Sequence, residues 1–322
     1  MEAIRARHRR AIQLLGPSFL VLALAHPALA GSRIVKNLTL GPGGKLVLDT
    51  EAGSVSVSGS TEAGVHVVVT SRSDDLEKRY KFEFQEAPGE VRITGKKADT
   101  GWLRGISVHF EIRAPRATSL SLRTSGGSIE ASGLAGTADV DTSGGSISID
   151  DLVGALKAHT SGGSITLREI KGDVRVETSG GSINASSIAG SLDARTSGGH
   201  VDVENVTGDA VLSTSGGSVK ARNAGGRVIA KTSGGSIEVS FARGNARGGE
   251  LETAAGSVEV TVDPSASLTV DATTSAGRIS TYFPLQVTGS IGSSSVHGTI
   301  GKGGESLTIH TSAGSIELRS LK

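Results

Sequence analysis

The sequence predicts an all-β protein: a right-handed parallel β-solenoid (β-helix) of 18-residue coils, with a β-rich N-terminal cap and a C-terminal β cap. Three observations carry this. The tetrapeptide T-S-G-G begins at Thr124, Thr142, Thr160, Thr178, Thr196, Thr214 and Thr232, always 18 residues apart. Apolar residues recur in pairs spaced by two, the period of a strand. A glycine stands twelve residues after every one of these threonines, at Gly136, Gly154, Gly172, Gly190, Gly208, Gly226 and Gly244.

In chain order, residues 1–30 read as a secretory signal peptide. Arg5, Arg7, Arg9 and Arg10 form a positive start, Leu14 to Ala25 a short apolar run, and Ala28-Leu29-Ala30 a small-x-small site with cleavage after Ala30. The apolar run is short for a bilayer span. Arg9-Arg10 is followed by Ala11-Ile12-Gln13, a poor twin-arginine match, which favours the general secretory route. The expected location is periplasmic or extracellular. No later segment is apolar enough to form an integral membrane span. Removing four Arg and one Glu from the 33 basic and 32 acidic residues leaves 29 and 31, a net charge of −2. That balance argues against a nucleic acid partner. The chain has no Cys, so it forms no disulfide, Cys metal site or thiol nucleophile.

Residues 31–105 are expected to form the N-terminal cap, from strand-like runs at Val65 to Val69, Phe82/Phe84 and Val91-Arg92-Ile93, with Tyr80 and Trp102. Leu46 and Leu48 before Thr50 fall in the same columns as Leu120 and Leu122 before Thr124. The cap therefore ends in an irregular first coil, marked by T-E-A-G-S-V at Thr50.

Residues 106–282 are expected to form the solenoid repeats. Five after each Thr stand Ile129, Ile147, Ile165, Ile183, Val201, Val219 and Ile237. Further apolar columns follow, among them Leu134, Leu152, Ile170 and Ile188. Each coil then has two short strands, one turn made by S-G-G and the other by the column glycine. Eighteen residues is too short for a strand–helix–strand unit. Outward positions are polar and mixed in sign: Asp202 and Glu204 face Lys220 and Arg222, Glu177 faces Arg195, and Asp209 faces Arg227. Insertions after Gly244 and around Pro264 lengthen two late coils, whose turns are Thr253 (T-A-A-G) and Thr274 (T-S-A-G). Residues 283–322 are the expected C-terminal cap, begun by Tyr282-Phe283-Pro284 and closed by Leu307, Ile309 and the Thr311 coil.

No residue is assigned a catalytic, cofactor-binding or metal-binding role. T-S-G-G-S-I lacks the G-K-[ST] ending of a phosphate loop. Calcium-binding repeats need Asp where this motif has Ser and Ile. His66, His109, His159, His200, His297 and His310 show no metal-ligand spacing. His200 is the exception in its column, where the other six strict repeats keep Ser. For a polysaccharide lyase or hydrolase the nearest candidates are Asp150, Asp151, Asp202 and Glu204, which must share a cleft with a basic residue.

The runs L-V-L-D-T-E-A-G-S-V-S-V-S-G (46–59), F-E-I-R-A-P-R-A-T-S-L-S-L-R-T-S-G-G-S-I (110–129) and L-T-I-H-T-S-A-G-S-I-E-L (307–318) resemble the bacterial putative adhesin domain family, a domain of unknown function in exported β-solenoid proteins. The resemblance covers nearly all of the chain after residue 30. It implies a non-enzymatic, adhesin-like cell-envelope protein with an envelope, glycan or protein partner, and supplies no catalytic residue or cofactor. A self-assembling scaffold, a homo-oligomer of stacked solenoids, is a further expectation.

Overall fold

The computed structural model describes residues 31–98, 107–282, 286–287 and 293–322. Residues 1–30, expected from the sequence to be a signal peptide, lie outside the described residues, as do Trp102 and the Phe283-Pro284 pair. Among the described residues, strands of a 15-membered and a 14-membered sheet make up nearly all of the regular structure, with one single-turn helix at Leu76–Arg79. A coil runs from one sheet to the other. In the Thr142 coil, Ala138–Thr142 belongs to the first sheet and Ile147–Val153 to the second. We call these the threonine sheet and the isoleucine sheet, and name each coil by its threonine. Neighbouring coils pair in parallel in the predicted columns: Leu156 with Val174, Ala158 with Val176, Ile165 with Ile183, Leu167 with Ala185. The solenoid is thus as the repeat requires, with every inward column buried.

The isoleucine-sheet strand is kinked, a feature the spacing hides. Its third apolar residue comes three positions after the second, not two, so a plain strand would turn it outward. One residue per coil adopts the left-handed conformation and restores the inward direction: Gly133, Asp151 (φ 48), Glu169 (φ 53), Ser187, Asn205 and Asn223. Leu134, Leu152, Ile170 and Ile188 are consequently buried.

The threonines explain the turn. All of them are buried. From Thr124 onward each Oγ1 donates to the carbonyl of the second turn glycine of the coil beneath: Thr160 to Gly145 at 2.7 Å, Thr178 to Gly163 at 2.8 Å, Thr196 to Gly181 at 2.8 Å. A buried carbonyl at a corner needs such a donor. The two turn glycines differ in kind. A Cβ on Gly181 would overlap the Gly163 carbonyl oxygen, whereas a Cβ on Gly180 would stand 3.5 Å from its nearest neighbour, an ordinary contact. The outlying coils obey the same distinction. Ala52, Ala255, Ala276 and Ala313 replace the first glycine, while Gly53, Gly256, Gly277 and Gly314 keep the second.

Both ends depart from chain order. The Thr50 coil (Lys45–Thr50 and Ser54–Ser60) stacks on the Thr124 coil, with Leu46 opposite Leu120 and Leu48 opposite Leu122 as expected. On its other side it is covered by Glu90–Lys97 and Val108–Pro115, also parallel. The edges are then finished by antiparallel strands, Tyr80–Ala87 on the threonine sheet and Val65–Ser71 with Arg33–Leu38 on the isoleucine sheet. At the far end, the Thr311 coil (Glu305–Ala313 and Ile316–Ser320) does not close the stack. It lies between the Thr253 coil (Gly249–Ala255 and Val258–Val262) and the Thr274 coil (Leu268–Ala276 and Ile279–Thr281). Ser295–Ile300 then pairs antiparallel with Leu268–Ala276. The first and last coils are therefore both inserted, each one place in from its end.

The insertion begins before Gly244, not after it. The register pairs Val228 with Gly249, which moves Gly244 out of the glycine column into a loop at φ 75. The Asn245 side chain takes over the missing rung, donating to the Ala224 and Gly226 carbonyls at 2.7 and 2.9 Å. Asp263 ties this loop to the next, accepting the N–H groups of Gly244 and Ser265. Those donors, with the Ser265 hydroxyl, hold the Asp263 carboxyl below its ordinary value of 3.8.

Candidate interaction surface

Because successive strand residues point to opposite faces, each coil leaves outward columns on each sheet. On the isoleucine sheet Asp150 stands in a column with Arg168, Ser186 and Glu204 on the following coils. Asp151 is the left-handed residue of its coil, and Arg116 donates to its carboxylate at 2.6 Å. Asp202 accepts from Arg222 at 2.9 Å, one rung over and diagonally. Short Ser186 leaves a depression of about 230 Å³ between Arg168 and Glu204, lined also by Asn184, Asp202 and Arg222. The structure thus brings Asp202 and Glu204 together with two guanidinium groups and leaves Asp150 and Asp151 outside that depression.

The sequence reading missed a larger feature on the threonine sheet. A trough of about 600 Å³ crosses its outer face. Asp139, Lys157, Arg175 and Asp193 line it from one outward column on successive coils, and Asp173 and Asp209 line it from the corner. Several of these charges are engaged. Asp193 pairs with Arg195 at 2.8 Å and Arg175 at 3.6 Å. Asp173 accepts the Ser191 N–H at 3.0 Å and Asp209 the Arg227 N–H at 2.9 Å, so the Asp209–Arg227 pairing expected between side chains is a side-chain-to-backbone bond. Similarly, Glu177 is in register with Arg195, but Arg195 turns to Asp193 on its own strand. The signal available in the sequence was the order acid, base, base, acid down one column.

His200 has a structural job. Along the turn, each Ser Oγ accepts the N–H of the equivalent residue in the next coil, as Ser164 does from Ser182 at 3.2 Å and Ser182 from His200 at 3.1 Å. At the next rung His200 Nδ1 replaces the hydroxyl and accepts from Ser218 at 3.0 Å. An imidazole with Nδ1 as acceptor carries its proton on Nε2. Of the other histidines, His66 Nδ1 is 2.6 Å from Asn37 Oδ1, His297 is 3.8 Å from Asp271, and His310 is 3.0 Å from Thr273 Oγ1. Among the described residues no three His, Asp or Glu side chains converge on a point where they could hold a metal ion, and no helix is long and apolar enough to cross a membrane.

Comparison with curated proteins finds no match. Among solved structures, the chain is similar to a protein described as a putative adhesin from Bacteroides fragilis NCTC 9343, at 11% identity and a TM-score of 0.42, covering 90% of this chain and 97% of that one. A putative adhesin from Parabacteroides distasonis ATCC 8503 aligns at 11% identity and a TM-score of 0.41, covering 90% and 98%. A protein from the same strain described as a putative lipid binding protein aligns at 13% and 0.37, covering 90% and 97%. Likeness at this level transfers no ligand and no site. The Toastrack DUF4097 family matches residues 43–221 and again 173–319, an overlap natural for a repeat, and by that coverage the chain belongs to it.

Proposed function

We propose that this chain is a non-enzymatic, adhesin-like protein of the cell envelope, exported by a signal peptide cleaved after Ala30. In this reading the strands outside the Thr50 coil cap one end of the solenoid, and the Thr274 coil with Ser295–Ile300 caps the other. The repeats between them present an interaction surface to an envelope, glycan or protein partner. The observation that carries the reading is the trough. It is open, it runs along the solenoid axis over several coils, and the Asp193 and corner carboxylates in it are engaged by neighbouring groups. An open groove lined by charges of both signs over several coils suits recognition of an extended partner. The test is made in cells producing the chain. The mature protein is expected outside the cytoplasm with Gly31 at its N-terminus by mass. Digestion by protease added to intact cells marks surface display, and digestion only after the envelope is opened marks a periplasmic protein. A full-length chain confined to the cytoplasm would overturn the proposal.

One observation favours a second reading, a polysaccharide-active β-helix enzyme: Asp202 and Glu204 share their depression with Arg168 and Arg222. It predicts that the purified chain releases reducing ends from a polysaccharide and that Asp202→Asn and Glu204→Gln abolish the release. No release from the unmodified chain across charged and neutral polysaccharides removes it.

A further inference from the structure

The inserted position of the last coil has a consequence for assembly. The Thr253, Thr311 and Thr274 coils stack in that order, although the chain makes Thr274 before Thr311. All three carry the same docking groups, T-A-A-G, T-S-A-G and T-S-A-G. Thr311 Oγ1 donates to the Gly256 carbonyl and Thr274 Oγ1 to the Gly314 carbonyl, both at 2.8 Å. Before residues 305–320 arrive, the Thr274 coil therefore has what it needs to rest directly on the Thr253 coil. The last coil must enter a slot whose two walls fit each other. A glycine-rich hinge precedes it: Gly301-Lys302-Gly303-Gly304, with φ 58 at Gly301 and φ 75 at Gly303. The inserted Thr50 coil is preceded by a matching hinge, Gly41-Pro42-Gly43-Gly44. The two segments align with one extra residue in the second, T-L-G-P-G-G-K-L-V-L-D-T-E-A-G-S-V against T-I-G-K-G-G-E-S-L-T-I-H-T-S-A-G-S-I.

We propose that residues 305–320 are an exchangeable coil, and that the slot between the Thr253 and Thr274 coils accepts the same coil from a second copy of this chain. An exchanged coil makes every contact of the resident one. Leu307, Ile309, Ile316 and Leu318 are buried either way, and the cost is confined to opening and to association. A hinge of three glycines lowers the strain of reaching across. The partner is therefore another molecule of this protein, joined by reciprocal exchange into a dimer. The inference stands apart from the trough and does not depend on the ligand.

The chain's lack of cysteine makes the test clean. Glu250 and Thr308 are opposite each other across the slot wall, in outward positions. Chains carrying Glu250→Cys and Thr308→Cys are held concentrated and reduced a few degrees below the unfolding midpoint, then cooled, diluted and oxidised. A control carries Thr166→Cys and Asn184→Cys, an equivalent pair within the strict repeats. Exchange predicts disulfide-linked dimers from the first pair at about ten times the control's yield. Equal yields, or a bond that stays within one chain at every concentration, would overturn the proposal. Hydrogen exchange on the unmodified chain is the second measure. The amides of Glu305–Ala313 are expected to exchange about tenfold faster than those of Val174–Thr178, and equal protection would count against it.

Discussion

The hydroxyl of Tyr80 lies 2.7 Å from that of Thr50 and also accepts the Ala52 N–H at 2.9 Å. Thr50 Oγ1 itself donates to the Ala52 carbonyl of its own turn at 2.8 Å, not to a glycine of a coil beneath, so the threonine ladder ends at Tyr80. Tyr80→Phe is expected to lower stability by about 1–3 kcal/mol, the range for a buried polar group losing its partner, measured by urea unfolding. Burial pushes the Tyr80 phenol above its ordinary value of 10.0. Above that pH the unfolded chain gives up the proton while the folded chain keeps it. Stability should therefore fall as pH rises past about 10, and fall less in the Phe variant.

The two turn glycines make opposite predictions. Gly181→Ala forces a methyl group into the Gly163 carbonyl, and is expected to cost on the order of 3 kcal/mol or prevent folding. Gly180→Ala makes only ordinary contacts, at 3.5 Å or more, and has no positive φ, so it should be neutral or stabilising by up to about 1 kcal/mol. Thermal midpoints of the pair check this. Equal effects would mean that the turn glycines are not distinguished by the coil beneath.

Glu169 holds a left-handed backbone that glycine adopts at Gly133. The conformation costs roughly 1–2 kcal/mol for a residue with a Cβ, and glycine gives back about 0.5–1 kcal/mol in entropy. Glu169→Gly should raise stability by about 0.5–1 kcal/mol in urea. A loss would show that the kink is not strained.

His200 serves as a rung of the serine ladder through Nδ1. His200→Ser is expected to leave stability within about 0.5 kcal/mol, and His200→Ala to lower it by up to about 1 kcal/mol, since the Ser218 N–H is then left to water. A loss of partner binding in His200→Ser without a change in stability would instead give the imidazole a functional role.

The solenoid was legible because its period acts on every residue. Ile147, Ile165 and Ile183 lie 18 apart in sequence and on consecutive rungs in space. What the period cannot encode is the order of like coils. T-S-A-G-S-I at Thr311 fits the Thr253 coil and the Thr274 coil equally, so its inserted position was hidden. The kink was hidden for another reason: Gly133, Asp151, Glu169, Ser187, Asn205 and Asn223 share a backbone angle but no side-chain chemistry. The outward charges were legible as columns and not as pairs. A side chain such as Arg222 reaches diagonally to Asp202 although Glu204 is its register partner, and exposed pairs are too weak to be fixed by register. The trough arises from backbone shape and from which column lies beside the corner, neither of which the repeat motif records.

The central claim, that the outer face of the threonine sheet is an interaction surface, is tested most directly by replacing the two bases of the trough. Lys157→Ala with Arg175→Ala leaves the buried columns intact, so the fold should hold. In cells producing each chain, the fraction retained in the washed envelope at low salt is compared between variant and unmodified protein. Retention is expected to drop several-fold in the variant, and the retained unmodified protein should be released by raised salt, since exposed charges are screened over about 8–10 Å. Equal retention of the two folded chains would contradict the account.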